Sequence, residues 1–183
     1  MSGDVTVISG PTAVGKGTVV QALKARHPEV WVSVSATTRP PRPTEIDGVH
    51  YHFVSNADFD VLVATDGLLE WATVHGRDRY GTPSAPVEAA VERGERVILE
   101  IDLQGARQVR QRLPGARLVF IAPPNWAELV NRLVGRGTET AEQRERRLRT
   151  AQVELAAADE FDHVVVNDDL GRAVDDLVSL LGL

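Results

Sequence analysis

Short apolar runs alternate along the chain with longer stretches whose apolar residues recur at helical spacing. Val5–Ser9 predicts a buried strand, and Lys16–Arg26 predicts a helix with Val19, Val20 and Leu23 on one side. A strand is expected near Val30–Val34, with further ones at Val97–Ile101, Leu118–Ile121 and Val164–Val166. Helical patterns follow these last three, at Leu103–Leu113, Trp126–Val134 and Leu170–Leu181. Strand, helix and strand repeated in this way predict an α/β protein: a parallel sheet with helices on both faces.

Two segments break the rhythm. From about Arg39 to Thr82 the chain is rich in Pro, Gly and aromatic residues, and "GVHYHFVS" alternates like an exposed antiparallel strand. This reads as a small lobe inserted at the ligand-binding edge of the sheet. The second is "GRGTETAEQ", where Gly135 and Gly137 would stop a helix and Thr140 with Gln143 would open the next through a capping box. A mobile loop is expected there.

The chain has 183 residues, enough for one substantial core with a small inserted lobe. Hydrophobic residues at 43% and charged residues at 25% are ordinary for a soluble globular protein. No apolar run is long enough to cross a bilayer, and "MSGDVTVISG" does not resemble a signal peptide. A cytoplasmic location without membrane attachment is therefore expected. There is no cysteine, which excludes a disulfide framework and thiolate metal sites. The net charge of −6 argues against a nucleic-acid partner. Arginines concentrate in "RPPR" and "ERRLR", which suits local anion sites better than a long polyanion track.

The first such site is "GPTAVGKGT". Gly10, Gly15 and Lys16 fit G-x-x-x-x-G-K directly after a predicted strand and at the opening of a predicted helix. Glycines let backbone N–H groups turn inward around an anion, the helix N-terminus adds positive potential, and Lys16 supplies a mobile charge. The usual Ser or Thr after the lysine is replaced by Gly17, with Thr18 one position further on, a variant seen in several nucleoside-monophosphate kinases. The motif points to a nucleoside triphosphate. A plain Gly-rich turn with an exposed lysine is the alternative.

A second site is suggested by "SATTRPPRPTE", where Ser35, Arg39 and Arg42 lie in a segment stiffened by prolines. Guanidinium forks held this way suit bidentate phosphate binding, although a solvated linker or a PxxP ligand has the same composition. Glu100 and Asp102 fall two apart and share a strand face, with Asp102 at the carboxyl end where open α/β sheets bind ligands. Asp102 would equally serve as an N-cap for the next helix. In "ETAEQRERRLRTAQ", Glu142 with Arg146 and Glu145 with Arg149 form favourable pairs four apart. Arg144 and Arg147 have no acidic residue three or four positions away, which suggests an outside anion. His50 and His52 share a strand face, but a third metal ligand at usable spacing is missing.

The set "GPTAVGKGT", "SATTRPPRPTEIDGVHYHFVS", "LLEWA", "RYGT", "EIDLQG", "FIAPP", "GRGTET" and "VVNDDL" resembles guanylate kinase over nearly the whole chain and in order. The resemblance implies a P-loop core (1–34, 83–134 and 160–183), a GMP-binding lobe (about 35–82) and a lid (about 135–150). It implies transfer of the γ-phosphoryl group of ATP to GMP, with dGMP a further substrate, in purine nucleotide metabolism and GMP recycling. Gly10, Pro11, Thr12, Ala13, Val14, Gly15, Lys16, Gly17 and Thr18 would bind ATP, together with Arg132, Arg136 and Asn167. Ser35, Arg39, Arg42, Glu45, Tyr51 and Tyr80 would hold or brace the GMP phosphate, and Glu70 and Thr82 would read the base. Asp102 would serve GMP and, with Thr18, Mg²⁺ held mainly through water and nucleotide phosphates. Lys16, Arg39, Asp102, Arg136 and Arg147 would carry the catalysis, in a monomer or small homo-oligomer.

Glu70 also has an argument of its own. Guanine presents a ring N–H and an amino group side by side, so one carboxylate accepts from both, whereas adenine offers a lone pair at the ring position. Two rivals remain at this stage. Guanylate-kinase-like scaffolds lose the phosphate loop and lid arginines, while this chain keeps Lys16, Arg136 and Arg147. Another nucleoside-monophosphate kinase would share "GKGT", but Glu70 and "TTRPPR" speak for GMP.

Overall fold

The structure, a computed structural model, describes residues 5–74, 77–134 and 140–183. The elements run β1 (Val5–Ser9), α1 (Lys16–Arg26), β2 (Trp31–Val32), β3 (Ala36–Thr37), β4 (His52–Phe53), α2 (Asn56–Ala64), β5 (Leu68–Val74) and β6 (Asp78–Pro83). They continue with α3 (Ser84–Glu92), β7 (Val97–Glu100), α4 (Leu103–Arg112), β8 (Arg117–Ala122), α5 (Trp126–Val134), α6 (Ala141–Ala156), β9 (His163–Val166) and α7 (Leu170–Leu181).

Apolar runs that were expected to be strands become one sheet in the order β2-β7-β1-β8-β9. β2 lies parallel to β7, with Trp31 opposite Val97, and β8 lies parallel to β9, with Phe120 opposite Val164. β1 is buried at all five positions, as strands covered on both faces must be. The strand expected over Val30–Val34 shortens to two residues. Ser33 still donates its N–H to Ile98 O at 2.9 Å, and the ladder ends there.

A second sheet has the order β4-β3-β6-β5. Here the expected exposed antiparallel strand at "GVHYHFVS" is corrected: β4 is two residues long and pairs parallel with β3, Ala36 opposite His52. The preceding residues turn instead of extending. Gly48 takes φ +74°, Val49 and His50 donate to Ile46 O, and His50 Nδ1 accepts the Ile46 N–H at 3.0 Å. Two helices not foreseen from the sequence flank this sheet in the chain. α2 starts at Ser55, whose hydroxyl accepts the Asp58 N–H at 3.1 Å, and buries Phe59 with Ala36 and Leu68. α3 buries Val87 and Ala90.

By its internal contacts the chain divides into two compact units. The first contains Val30–Leu99 and Gln104–Ala116, and the second contains Val7–Glu29, Glu100–Leu103 and Arg117–Leu183. No helix among the described residues is long and apolar enough to cross a membrane.

Candidate active site

In the second unit, β1 runs straight into the loop that precedes α1. The loop turns through left-handed positions, with Ala13 at φ 67° and Gly15 at φ 95°. Gly10, at φ 150°, is packed so tightly that a Cβ there would lie 2.3 Å from Ile121 O. Gly15 caps α1 with no side-chain bond to the first-turn N–H groups, as suits a helix N-terminus offered to an anion. Lys16 is half-buried and donates from Nζ to Gly10 O at 2.6 Å. Burial lowers its pKa, and the carboxylates of Glu154, Glu100 and Asp102 oppose that shift.

Distant residues hold the loop's shape. Asn167 Nδ2 donates to Val14 O at 2.8 Å, Arg132 Nη1 donates to the same carbonyl at 3.3 Å, and its Nη2 donates to Asn167 O at 3.3 Å. Asn167 and Arg132, both expected at the nucleotide, thus come together with the loop itself. Thr12 donates its N–H to Glu154 Oε2 at 3.1 Å. Burial pushes the Glu154 carboxyl up, the Thr12 N–H and Lys16 pull it down, and Asp102 raises it. Nothing in the local sequence marks Glu154, because its partner lies 142 residues away.

Gly17, the odd position of the motif, faces Glu100: a Cβ there would be 3.5 Å from Glu100 Oε1. Burial raises the Glu100 pKa, and Lys16 draws it back. Glu100, Asp102 and the exposed Thr18 offer hard oxygen donors of the kind Mg²⁺ prefers. No group of three or more His, Asp or Glu among the described residues could hold a metal by itself. Such a donor set fits a cation that takes its remaining ligands from nucleotide phosphates and water.

The first unit holds the other predicted cluster. Arg39 forms a fork to Glu45, Nη1 to Oε2 at 2.8 Å and Nη2 to Oε1 at 2.9 Å, while its Nε donates to Tyr80 Oη at 3.1 Å. Its guanidinium lies 5.4 Å from the Tyr51 ring centre, and Tyr51 and Tyr80 meet edge to face at 5.8 Å. Arg42 is exposed and donates its N–H to Glu45 Oε2 at 2.7 Å. The Arg39 side chain, then the Arg42 N–H, hold the Glu45 carboxyl at about 2, against an ordinary 4.5. Arg39, Glu45, Tyr51 and Tyr80 therefore come together as expected, with Ser35 immediately before β3.

Glu70 is 5% exposed and Thr82 fully buried, and Thr82 Oγ1 donates to Glu70 Oε1 at 2.6 Å. The β5–β6 ladder sets this pair directly opposite. α4 pins β5 from its side: Gln108 makes two bonds to the Trp71 backbone, and Arg112 donates to Leu68 O at 2.9 Å. Gln108 and Arg112 were not read from the sequence as site residues.

On α6, the capping box predicted at Thr140 and Gln143 is present, and so are the Glu142–Arg146 and Glu145–Arg149 pairs. Arg147, unlike its arginine neighbours, is half-buried and has an interaction of its own. Spacing along one helix does not list all of a side chain's surroundings. Gly135, Arg136 and Gly137 lie outside the described residues.

The guanylate kinase family model matches residues 2–182. The chain belongs to the guanylate kinase family. The guanylate kinase of Cutibacterium acnes is 65% identical over 179 residues, covering 98% of this chain and 90% of that protein. That of Streptomyces coelicolor is 59% identical over 175 residues, with 96% and 88% covered. Among solved structures, guanylate kinase from Anaplasma phagocytophilum superimposes with a TM-score of 0.76 at 29% identity, covering all of this chain and 86% of that one. A shikimate kinase from Bacteroides thetaiotaomicron, at a TM-score of 0.50 and 15% identity, shares the fold alone. The guanylate kinase frame accounts for a phosphate loop and a separate arginine–tyrosine cradle occurring in one chain.

Proposed function

We propose that this chain transfers the γ-phosphoryl group of ATP to GMP, giving ADP and GDP. The buried Glu70–Thr82 pair carries the reading. A buried carboxylate beside a hydroxyl suits guanine, whose ring N–H and amino group both donate, and disfavours adenine, whose ring nitrogen would face it lone pair to lone pair. The Arg39 cradle, with Arg42, Ser35, Tyr51 and Tyr80, takes the GMP phosphate. The loop from Gly10 to Thr18, Lys16 above all, takes the phosphates of ATP.

In the transfer, a GMP phosphate oxygen bonds to the γ-phosphorus as the bond to the ADP oxygen breaks. Lys16, Arg136 and Arg147 balance the charge on the moving group, and positioning does most of the work. Thr18 and Asp102 would hold Mg²⁺, largely through water and the ATP phosphates; when bound it draws the phosphate oxygens together and offsets their charge. Arg132 and Asn167 keep the loop in shape, with Asn167 near the adenine. On this reading the enzyme also accepts dGMP and acts in the cytoplasm, recycling GMP in purine nucleotide metabolism. It works as a monomer or small homo-oligomer without nucleic acid or membrane, in keeping with a net charge of −6.

The test is a coupled assay with Mg·ATP and GMP, dGMP, AMP, UMP or CMP as acceptor. GMP should give the highest kcat/KM. Faster turnover of AMP overturns the base assignment, and binding of GMP without turnover of any acceptor favours the scaffold reading.

A further inference from the structure

α4 begins with Leu103, and its third residue is Gly105, which is buried. A Cβ at that position would lie 2.5 Å from Glu70 Oε2, 3.0 Å from its Cδ and 3.3 Å from its Cγ. Real Cβ atoms do not come that close, so the present position of the Glu70 carboxylate exists because residue 105 has no side chain. We infer that Gly105 is a specificity-determining residue: it opens the space in which Glu70 meets the base, and so sets the preference for guanine. This rests on the reading of Glu70 as the base reader.

The physical argument separates this role from a merely structural one. The neighbour is the far end of a side chain with several rotatable bonds, not backbone. An alanine at 105 would displace the carboxylate and leave the helix where it is. Gly105 is not among the glycines in the left-handed region, so alanine fits its backbone. Inside a helix, alanine is also the better helix former. Glu70, by contrast, has little freedom to move and keep its function. Its Oε1 is tied to Thr82, and its own strand is held by the bonds from Gln108 and Arg112. The carboxylate sits against the first turn of α4, where the helix dipole favours a negative charge. Rotating away from a new methyl group takes it out of that field and off the line needed for two parallel bonds to guanine.

The inference predicts a variant that is well folded and indiscriminate. The experiment uses the full chain and measures kcat/KM for GMP, inosine monophosphate and AMP, with the KM for ATP and the thermal midpoint followed in parallel. Inosine monophosphate lacks the exocyclic amino group, so its ratio to GMP reports one of the two proposed carboxylate bonds. G105A should unfold at or above the parent temperature, keep its KM for ATP, and lose about tenfold or more of its GMP to inosine monophosphate preference, as expected when a buried polar pairing is broken. E70Q should lose the preference as well. Shortening the acid by one methylene makes room for the methyl group, so E70D combined with G105A should recover part of what G105A loses; that recovery is the coupling expected of residues in contact. If E70Q loses the preference and G105A keeps it, the role of Gly105 falls while the Glu70 reading stands. If both keep it, both fall. A loss in G105A that comes with a lowered midpoint and a raised KM for ATP is a general folding defect and overturns the inference too.

Discussion

Arg39 spends most of its donors on the protein itself, two on Glu45 and one on Tyr80. Its fork is thereby fixed before any ligand arrives, which reduces the entropy lost on binding a phosphate. The pair also leaves a signature in acid. The Glu45 pKa is depressed from 4.5 to about 2, so its contribution to stability is complete above about 4.5 and is lost as the pH falls through about 2. Thermal midpoints of the parent and of E45Q should therefore differ most above about pH 4.5 and converge towards pH 2; a constant difference would remove the ion pair as the cause. Glu100 and Glu154 shift the other way, but they are common to both proteins and cancel in the comparison. At Lys16 the expectation is kinetic. K16M should lower kcat by at least about a hundredfold while GMP binding, measured by calorimetry, changes little. Near-normal turnover in a folded K16M protein would remove Lys16 from the proposed machinery.

At the level of single elements, α6 shows what local chemistry can and cannot announce. Its capping box was legible because Thr140 and Gln143 meet through bonds made within one turn. Thr140→Ala should cost about 1 kcal/mol, read as a shift of the urea midpoint at constant m-value. The two i,i+4 ion pairs were legible for the same reason, although both are exposed and weak. Glu154, three turns further along the same helix, was not. Its meaning depends on Thr12, which no helical period connects to it. β4 failed for a related reason: alternation in "GVHYHFVS" gave the pattern of a strand but no information about its parallel partner. α2 and α3 did carry start signals, Ser55 with Asp58 and Pro83 before Ser84, but these lay in a stretch whose prolines and glycines had drawn attention to turns. In the first unit Arg39 met Glu45 and Tyr80, and Glu70 met Thr82. In the second the phosphate loop met Arg132 and Asn167, whereas Gln108, Arg112 and Gly105 act through contacts that no motif announces.

For the whole molecule, the division into two units has an experimental counterpart. Arg39, Glu70 and Thr82 belong to the first unit, and the phosphate loop with Lys16 belongs to the second. In hydrogen exchange, GMP alone should slow amides within 35–82, and Mg·ATP alone should slow amides within 10–18. K16M should keep the first footprint and weaken the second. Equal footprints from either nucleotide would speak against two separate binding regions. The loop's supports carry one more consequence, for how the protein is made. Val14 is held by Arg132 and Asn167, which lie 118 and 153 residues further on, and Thr12 is held by Glu154 at a separation of 142. The motif leaves the ribosome first, yet the contacts that shape it arrive with the last third of the chain. Such long-range closures come late in folding. A nascent chain released before α5 would carry every letter of the phosphate-binding signature without Arg132, Glu154 or Asn167 to shape its cup, so ATP can reward only finished molecules.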